Sequence, residues 1–566
     1  MAFNRNAGPN GSVAPIQGGG SVAPPNGVSA EAKKAGGRRR LFTLISIVLL
    51  ILVVVAGIRI SMLTSTTNDQ LTIHIANQQD ATLDLRQSFA ISPYFLGANV
   101  FPKQNTSSLN NIDTGFMVYT QKTAQDLQQM HITLLRYPGG SWGEQNVLSS
   151  GQPIGNQQAV SNQLKDFTNM MDDLGKGSAG MLQAHLDGPV KNKFTGGMEP
   201  QGVPPDSDGL ATYASNWVDY MNNPHSPQRS GARQQDPYHP VHYWNVGNEP
   251  DITFYPGTQQ HYTVSQYANA FIQFSIKMHQ NDPSIQVLGP EISQYYGVGA
   301  GPFDSGGHAW MDEFLRIVGD FEKDNCGPNK KYPYQLLNGV SFHRYPFPLK
   351  HQDAGLLLSS TEEWNYLLPG LREQIKRLTG QDLPISITEL NTNPTSNLNL
   401  PESQAALWLG DSLGELMNQQ VSNVVYFSAA GVNNPYPLID AGDNLTMMGQ
   451  TMKLFSQLQS NVVPLAIQHD PVGTYATLDN SHKTLGLFFV NKSAQQQVVQ
   501  ISPSDHLLSF GPWHSQTVTL APYTMVVLTM QRNSAQTEAM SFTPKDSGTA
   551  DTVTVTCGNS ANGIPC

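Results

Sequence analysis

Eight short runs rich in β-branched and aromatic residues, separated by stretches of helical periodicity, restrict the folds open to this chain more than any other feature. They are LGANVF (Leu96–Phe101), TLLRYPGG (Thr133–Gly140), AGMLQAHL (Ala179–Leu186), YWNVGNEP (Tyr243–Pro250), IQVLGPEI (Ile285–Ile292), GVSFHRYP (Gly339–Pro346), ISITELN (Ile385–Asn391) and NVVYFSA (Asn423–Ala429). Between the fourth and fifth, Tyr267, Phe271, Phe274 and Met278 recur at intervals of four, three and four, which lines one face of a helix. Asn281-Asp282-Pro283 then stops it. Leu407, Leu413 and Met417 serve the same packing role before the eighth run. Strands alternating with helices build a parallel sheet, and eight such units close it into an α/β fold, the (β/α)8 or TIM barrel, here over residues 93–460.

The flanks read differently. After Ser460, runs such as TYATLD, TLGLFFVNK, QQVVQIS and TMVVLTM follow one another with no helical segment between them, the mark of an antiparallel β-sandwich over 461–531. LTIHIA and ATLDLR precede the barrel and join the same accessory domain, so 61–92 is a linker followed by its N-terminal strands. Residues 532–566 are polar and poor in aromatics, which predicts a flexible tail.

At the N-terminus, LFTLISIVLLILVVVAGI (Leu41–Ile58) runs 18 residues without a charge, nearly enough helical rise to cross a hydrocarbon core of about 30 Å. Its length, and the long polar stretch before it, favour an uncleaved transmembrane signal-anchor over 41–60 rather than a cleaved signal peptide, which would leave the protein secreted. Residues 1–40 are rich in Gly, Pro, Ala, Ser and Asn, a disordered composition, and end in Lys33, Lys34, Arg38, Arg39 and Arg40. That cationic cluster predicts a cytoplasmic N-terminus with everything after Arg59 outside the cell membrane. A charged fraction of 13% and a net charge of -11, without a basic patch in the body, exclude nucleic acid as a partner. Three cysteines in 566 residues do not form a disulfide framework; Cys557 and Cys566 either pair or, with Cys326, stay as thiols. The sequence contains neither CxxC nor HExxH, so no metal and no cofactor is expected.

In a barrel of this kind reactive groups stand at the C-terminal ends of the strands. The second run ends in Arg136-Tyr137-Pro138-Gly139-Gly140, the fourth in Asn248-Glu249-Pro250, the sixth in His343-Arg344-Tyr345 and the seventh in Glu389. Two glutamates facing each other across a barrel mouth suit glycoside hydrolysis, which needs a proton donor for the leaving oxygen and a carboxylate on the opposite side of the sugar. Arg136 and Tyr345 are expected to keep Glu389 ionised, and its charge to hold the proton on Glu249. His343 and His185 are candidate substrate contacts, and so is Asp187. Trp142, Tyr295, Tyr296 and Trp310 offer faces for sugar stacking, while Trp244, inside a strand, belongs to the core. Glu291, closing the fifth run, is a reserve carboxylate; Glu144 and Asp251 are expected in solvated loops.

Asn248-Glu249 and Glu389, with the order of barrel and sandwich, resemble the clan A glycoside hydrolases over residues 70–530. Gly-Asn-Glu-Pro-Asp is similar to family 79, Arg136-Tyr137-Pro138-Gly139-Gly140 to family 51, and Thr388-Glu389-Leu390-Asn391 to family 39. The resemblance implies a retaining enzyme with Glu249 as acid/base, Glu389 as nucleophile and Asn248 on the sugar 2-hydroxyl. The expectation is a membrane-anchored extracellular glycosidase whose partners are a carbohydrate and, through the N-terminal helix, the membrane. The alternative is a non-catalytic glycan-binding surface protein on the same barrel, since fold alone does not establish activity.

Overall fold

A computed structural model describes residues 69–102, 117–140, 163–186, 208–229, 235–255, 258–347, 353–394, 400–430, 436–465, 467, 470–504, 512–546, 554–558 and 564–565. The expectations for residues 1–60, including the span Leu41–Ile58, lie outside these residues, as do Trp142, Glu144, Asp187 and the side chains of Cys557 and Cys566. Among the described residues no helix is long and apolar enough to cross a membrane.

Three strands come first: β1 (Gln70–Ile75), β2 (Ala81–Asp84) and β3 (Phe89–Ala90). The barrel follows with β4 (Leu96–Asn99), β5 (Leu134–Tyr137), β6 (Ala179–Ala184), β7 (Tyr243–Val246), β8 (Gln286–Ile292), β9 (Gly339–Arg344), β10 (Ile385–Leu390) and β11 (Asn423–Tyr426). Each of the eight lies within one of the runs read from sequence. They pair in parallel in chain order, and β11 pairs with β4 to close the ring. Nearly every residue of these strands is buried, because a parallel barrel strand is covered by side chains inside and by helices outside. The helix Val264–Asn281 turns Tyr267, Phe271, Phe274 and Met278 into the core, and a Thr263/Gln266 capping box sets its start.

The sandwich is built from β12 (Asn461–Val463), β13 (Val472–Leu478), β14 (Thr484–Asn491), β15 (Gln497–Pro503), β16 (Gln516–Leu520), β17 (Met525–Gln531), β18 (Thr537–Phe542), β19 (Thr554–Gly558) and β20 (Ile564–Pro565), together with β1, β2 and β3. Its smaller sheet runs β16-β15-β1-β2 and its larger one β20-β19-β18-β17-β14-β13-β12-β3. Leu71, Ile73, Val499 and Ile501 of one sheet meet Leu485, Leu487, Phe489 and Leu528 of the other in a shared core. The other face of the larger sheet presents Tyr475, Phe488 and Met525 to the barrel's own core. A sheet buried on both faces must approach its helix closely. A Cβ on Gly414 of the helix Glu402–Asn418 would lie 2.3 Å from the Tyr475 ring, so only glycine admits that approach.

Residues after Arg532, read from sequence as a flexible tail, include β18, which pairs along its length with β17 and then with β19. Its sequence TEAMSF is mostly half-buried and lacks strong apolar alternation, so it resembles a polar tail until its partner is known.

Candidate active site

Arg136 on β5 organises the open end of the barrel. Its side chain is fully buried, and it donates to Asn99 Oδ1 at 2.8 Å, Glu389 Oε1 at 2.9 Å, Asn248 Oδ1 at 2.9 Å, Glu291 Oε2 at 2.9 Å and Gln183 Oε1 at 3.3 Å. Burial works against its charge, and Glu291 and Glu389 more than restore it. One guanidinium thus joins the ends of five strands or strand-end turns.

The backbone aims the acids. Glu249 follows Gly247 (φ +76°) and itself lies in the left-handed region (φ +46°), with its N–H donating to the Glu291 carbonyl at 2.9 Å. Glu291 is left-handed too (φ +59°). The pairing of β8 with β9 shifts register between Pro290 and Ile292, and that of β10 with β9 between Ile387 and Glu389. Such irregularities re-aim a side chain at the end of a strand, and left-handed non-glycine residues persist only where their surroundings impose them.

Glu389 is 3% exposed; Tyr345 Oη donates to its Oε2 at 2.6 Å, and His343 Nδ1 lies 3.5 Å from the same oxygen. Glu249 is the more open acid, its side chain 15% exposed, with Oε1 held by His343 Nδ1 at 2.9 Å. A Glu249 carboxylate oxygen and a Glu389 carboxylate oxygen lie within 4.8 Å of each other. Burial raises the Glu389 pKa against the pull of His343 and Arg136, and Glu249 raises it further. The expectation that Arg136 and Tyr345 simply hold Glu389 ionised is thereby corrected: desolvation opposes them, and the two acids share one electrostatic environment. Burial and the neighbouring Glu389 push the Tyr345 phenol well up, so it acts as a neutral donor.

His343 is fully buried. Burial alone would lower its pKa, but Glu389, Glu249 and Glu291 raise it to about 10. Glu249, His343 and Glu389 lie close enough to suggest a metal site. The donor set does not fit one, because each imidazole nitrogen already faces a carboxylate and Arg136 already pairs with Glu389.

Glu291 is no substitute for Glu389. It is fully buried and accepts from Arg136, from Asn245 Nδ2 at 2.7 Å and from Thr388 Oγ1 at 3.0 Å. Burial would raise its pKa, yet Arg136 and His343 bring it below the ordinary glutamate value.

The cluster therefore gathers Arg136, Asn248, Glu249, His343, Tyr345 and Glu389. His185 is buried just beyond β6, where Gln183 reaches Arg136 instead. Tyr296 is 44% exposed on the loop after β8, with the Arg344 guanidinium 5.4 Å from its ring centre. Tyr295 and Trp310 are fully buried and offer no face for a sugar; Trp244 is core, as its strand position implies. Asp251 is buried rather than solvated: Ser293 donates to it from its backbone N–H at 2.8 Å and its hydroxyl at 2.5 Å, and burial lifts its pKa to about 6. Sequence reading missed Asn99, Gln183, Asn245 and Thr388. Their signal is a polar residue interrupting an apolar barrel strand near its C-terminal end.

No protein-family profile matches the sequence, and no curated protein sequence matches it. Solved structures do match in fold. A family 51 α-L-arabinofuranosidase from Bifidobacterium longum superposes with a TM-score of 0.57 at 15% identity, covering 81% of this chain and 99% of its own. The α-L-arabinofuranosidase of Thermotoga maritima gives 0.56 at 14% identity, covering 79% and 99%. A family 44 endoglucanase from Clostridium acetobutylium gives 0.53 at 13%, covering 81% and 99%. The likeness is one of fold: the eight-stranded parallel barrel matches that of TIM-barrel glycoside hydrolases.

Proposed function

We propose that this chain is a retaining glycoside hydrolase, anchored in the cell membrane by Leu41–Ile58 with its barrel outside the cell. One observation carries the reading: Glu249 and Glu389 meet at the open end of the barrel with carboxylate oxygens within 4.8 Å. Retaining enzymes hold their carboxyls roughly 5–5.5 Å apart, whereas a gap of about 6.5–9.5 Å leaves room for the water of an inverting reaction. The short separation supports the former.

In this reading a Glu389 oxygen attacks the anomeric carbon as the bond to the leaving oxygen breaks, and Glu249 gives that oxygen its proton. The products are an alcohol and a glycosyl ester on Glu389. Water then attacks the same carbon while Glu249 takes its proton, and the ester bond breaks to restore the Glu389 carboxylate. Arg136 and Tyr345 stabilise that carboxylate at the start and end of the cycle. Arg136 occupies the carbonyl of Asn248, which leaves the amide nitrogen to donate to a sugar hydroxyl. Tyr296, His185 and Trp142 are proposed as outer contacts to the carbohydrate.

The full chain in detergent is to be assayed on aryl glycosides and polysaccharides, including α-L-arabinofuranosides and glucans because its neighbours in fold are named for those activities. Proton NMR of the first product should show the anomeric configuration of the substrate. The opposite configuration would overturn retention, and silence across both substrate sets would overturn the hydrolase reading. Protease added to intact cells should digest the barrel and spare residues 1–40; protection of the barrel would reverse the proposed topology.

A further inference from the structure

We propose that Glu291 is a positioning residue that keeps His343 doubly protonated, so that Glu249 carries its catalytic proton on Oε2, the oxygen His343 does not hold. The inference rests on the glycosidase reading for its catalytic consequence, and on geometry alone for the charge state.

Two faces of one imidazole meet three acids. Nδ1 stands 2.9 Å from Glu249 Oε1 and 3.5 Å from Glu389 Oε2, while Nε2 stands 3.4 Å from Glu291 Oε2. Arg136 lies beyond Glu291 and Glu389, Tyr345 Oη bonds Glu389, and buried Asp251 sits two residues past Glu249. Glu291 is bound by Arg136, Asn245 and Thr388, and these donors stabilise its ionised form. An ionised carboxylate accepts only, so Nε2 must carry hydrogen.

The state of Nδ1 then decides where the catalytic proton goes. On a neutral ring with hydrogen on Nε2 alone, Nδ1 would be a lone pair aimed at Glu249 Oε1. It would accept the carboxylic proton and draw it inward, away from a glycosidic oxygen. With both nitrogens protonated, Nδ1 donates to Oε1, and an acid proton on Glu249 resides on Oε2. Glu291 is the acid that makes this state affordable. It places a buried carboxylate against Nε2 and beside Arg136, and its negative charge offsets the positive charge on the ring.

Nitrogen-15 NMR of the His343 ring reads the charge state directly and without substrate. In the wild type both nitrogens should be protonated at neutral pH and remain so well above the usual histidine range, toward about 10. Glu291→Gln should bring the titration down, while Glu291→Asp, which keeps the charge, should preserve it. A neutral wild-type ring at pH 7 would overturn the inference even if no variant folds.

The kinetic arm uses glycosides of whichever sugar the wild type cleaves. Glu291→Gln should lose ~100-fold or more on an alkyl glycoside, which needs the proton, but less than ~10-fold on a dinitrophenyl glycoside, which does not. Equal losses on both would contradict the proposal. A wild type that cleaves nothing yet shows the doubly protonated ring would sink the glycosidase reading and leave the assignment of charge intact.

Discussion

The chain buries charge in two places, and they serve different ends. At the mouth of the barrel, Arg136 and His343 meet Glu249, Glu291 and Glu389. At the junction between barrel and sandwich, Asp411 of the helix Glu402–Asn418 pairs with Lys492, just after β14, at 2.8 Å, and accepts from Tyr475 Oη at 2.7 Å and Thr361 Oγ1 at 2.6 Å. Lys492 also reaches Asp470 at 2.6 Å, and burial lifts Glu415, one turn along the helix, to about 9. Both clusters are largely buried and both perturb acids. They differ in how the backbone presents them. Asp411 and Glu415 lie on a regular helix, whereas Glu249 and Glu291 are left-handed and Glu291 and Glu389 sit at breaks in strand register. The mouth also keeps one acid partly open. Buried charge by itself marks only a costly arrangement; strained presentation toward an opening marks the candidate site.

Substitutions should separate the two clusters. Glu389→Gln should reduce glycosidase activity by roughly 10⁴-fold or more, the scale seen when a covalent nucleophile is removed, with the melting temperature unchanged or raised. A large fall in melting temperature would erase the contrast. Asp411→Ala should do the reverse. Leaving Lys492 buried with its main partner gone costs about 3–5 kcal/mol, visible in denaturant unfolding, while kcat of the surviving folded fraction holds. Gly414→Ala should cost about 1–3 kcal/mol through the clash with Tyr475, again without touching kcat. A further effect is one of pH. Glu415 stays protonated in the folded chain up to about 9 but ionises near 4.5 when unfolded, so between those values the native state binds one proton more. Stability should therefore fall as pH rises across that window, and Glu415→Gln should flatten this part of the profile. An unchanged slope in that variant would place the pH dependence elsewhere.

Much of this was readable from residue order, and the exceptions have a common cause. All eight barrel strands were legible because a strand covered on both faces is a nearly unbroken apolar run. Glu249 and Glu389 were legible because each ends such a run. Asn99, Gln183, Asn245 and Thr388 were not, since a polar residue inside a strand acquires meaning only when the register turns it toward Arg136. Asp251, Tyr295 and Trp310 were misplaced for a related reason: a place in a loop or at the start of a helix does not reveal side-chain direction, and all three turn inward. β18 was read as tail because its stability comes from pairing with β17 and not from its own apolar content.

The most direct test of the account is covalent capture. Incubation with an activated 2-deoxy-2-fluoro glycoside of the preferred sugar, followed by peptide mapping, should place one glycosyl group on Glu389 and none on Glu249 or Glu291. Label on either of the other glutamates, or turnover of the natural substrate with no trapped ester, would contradict it.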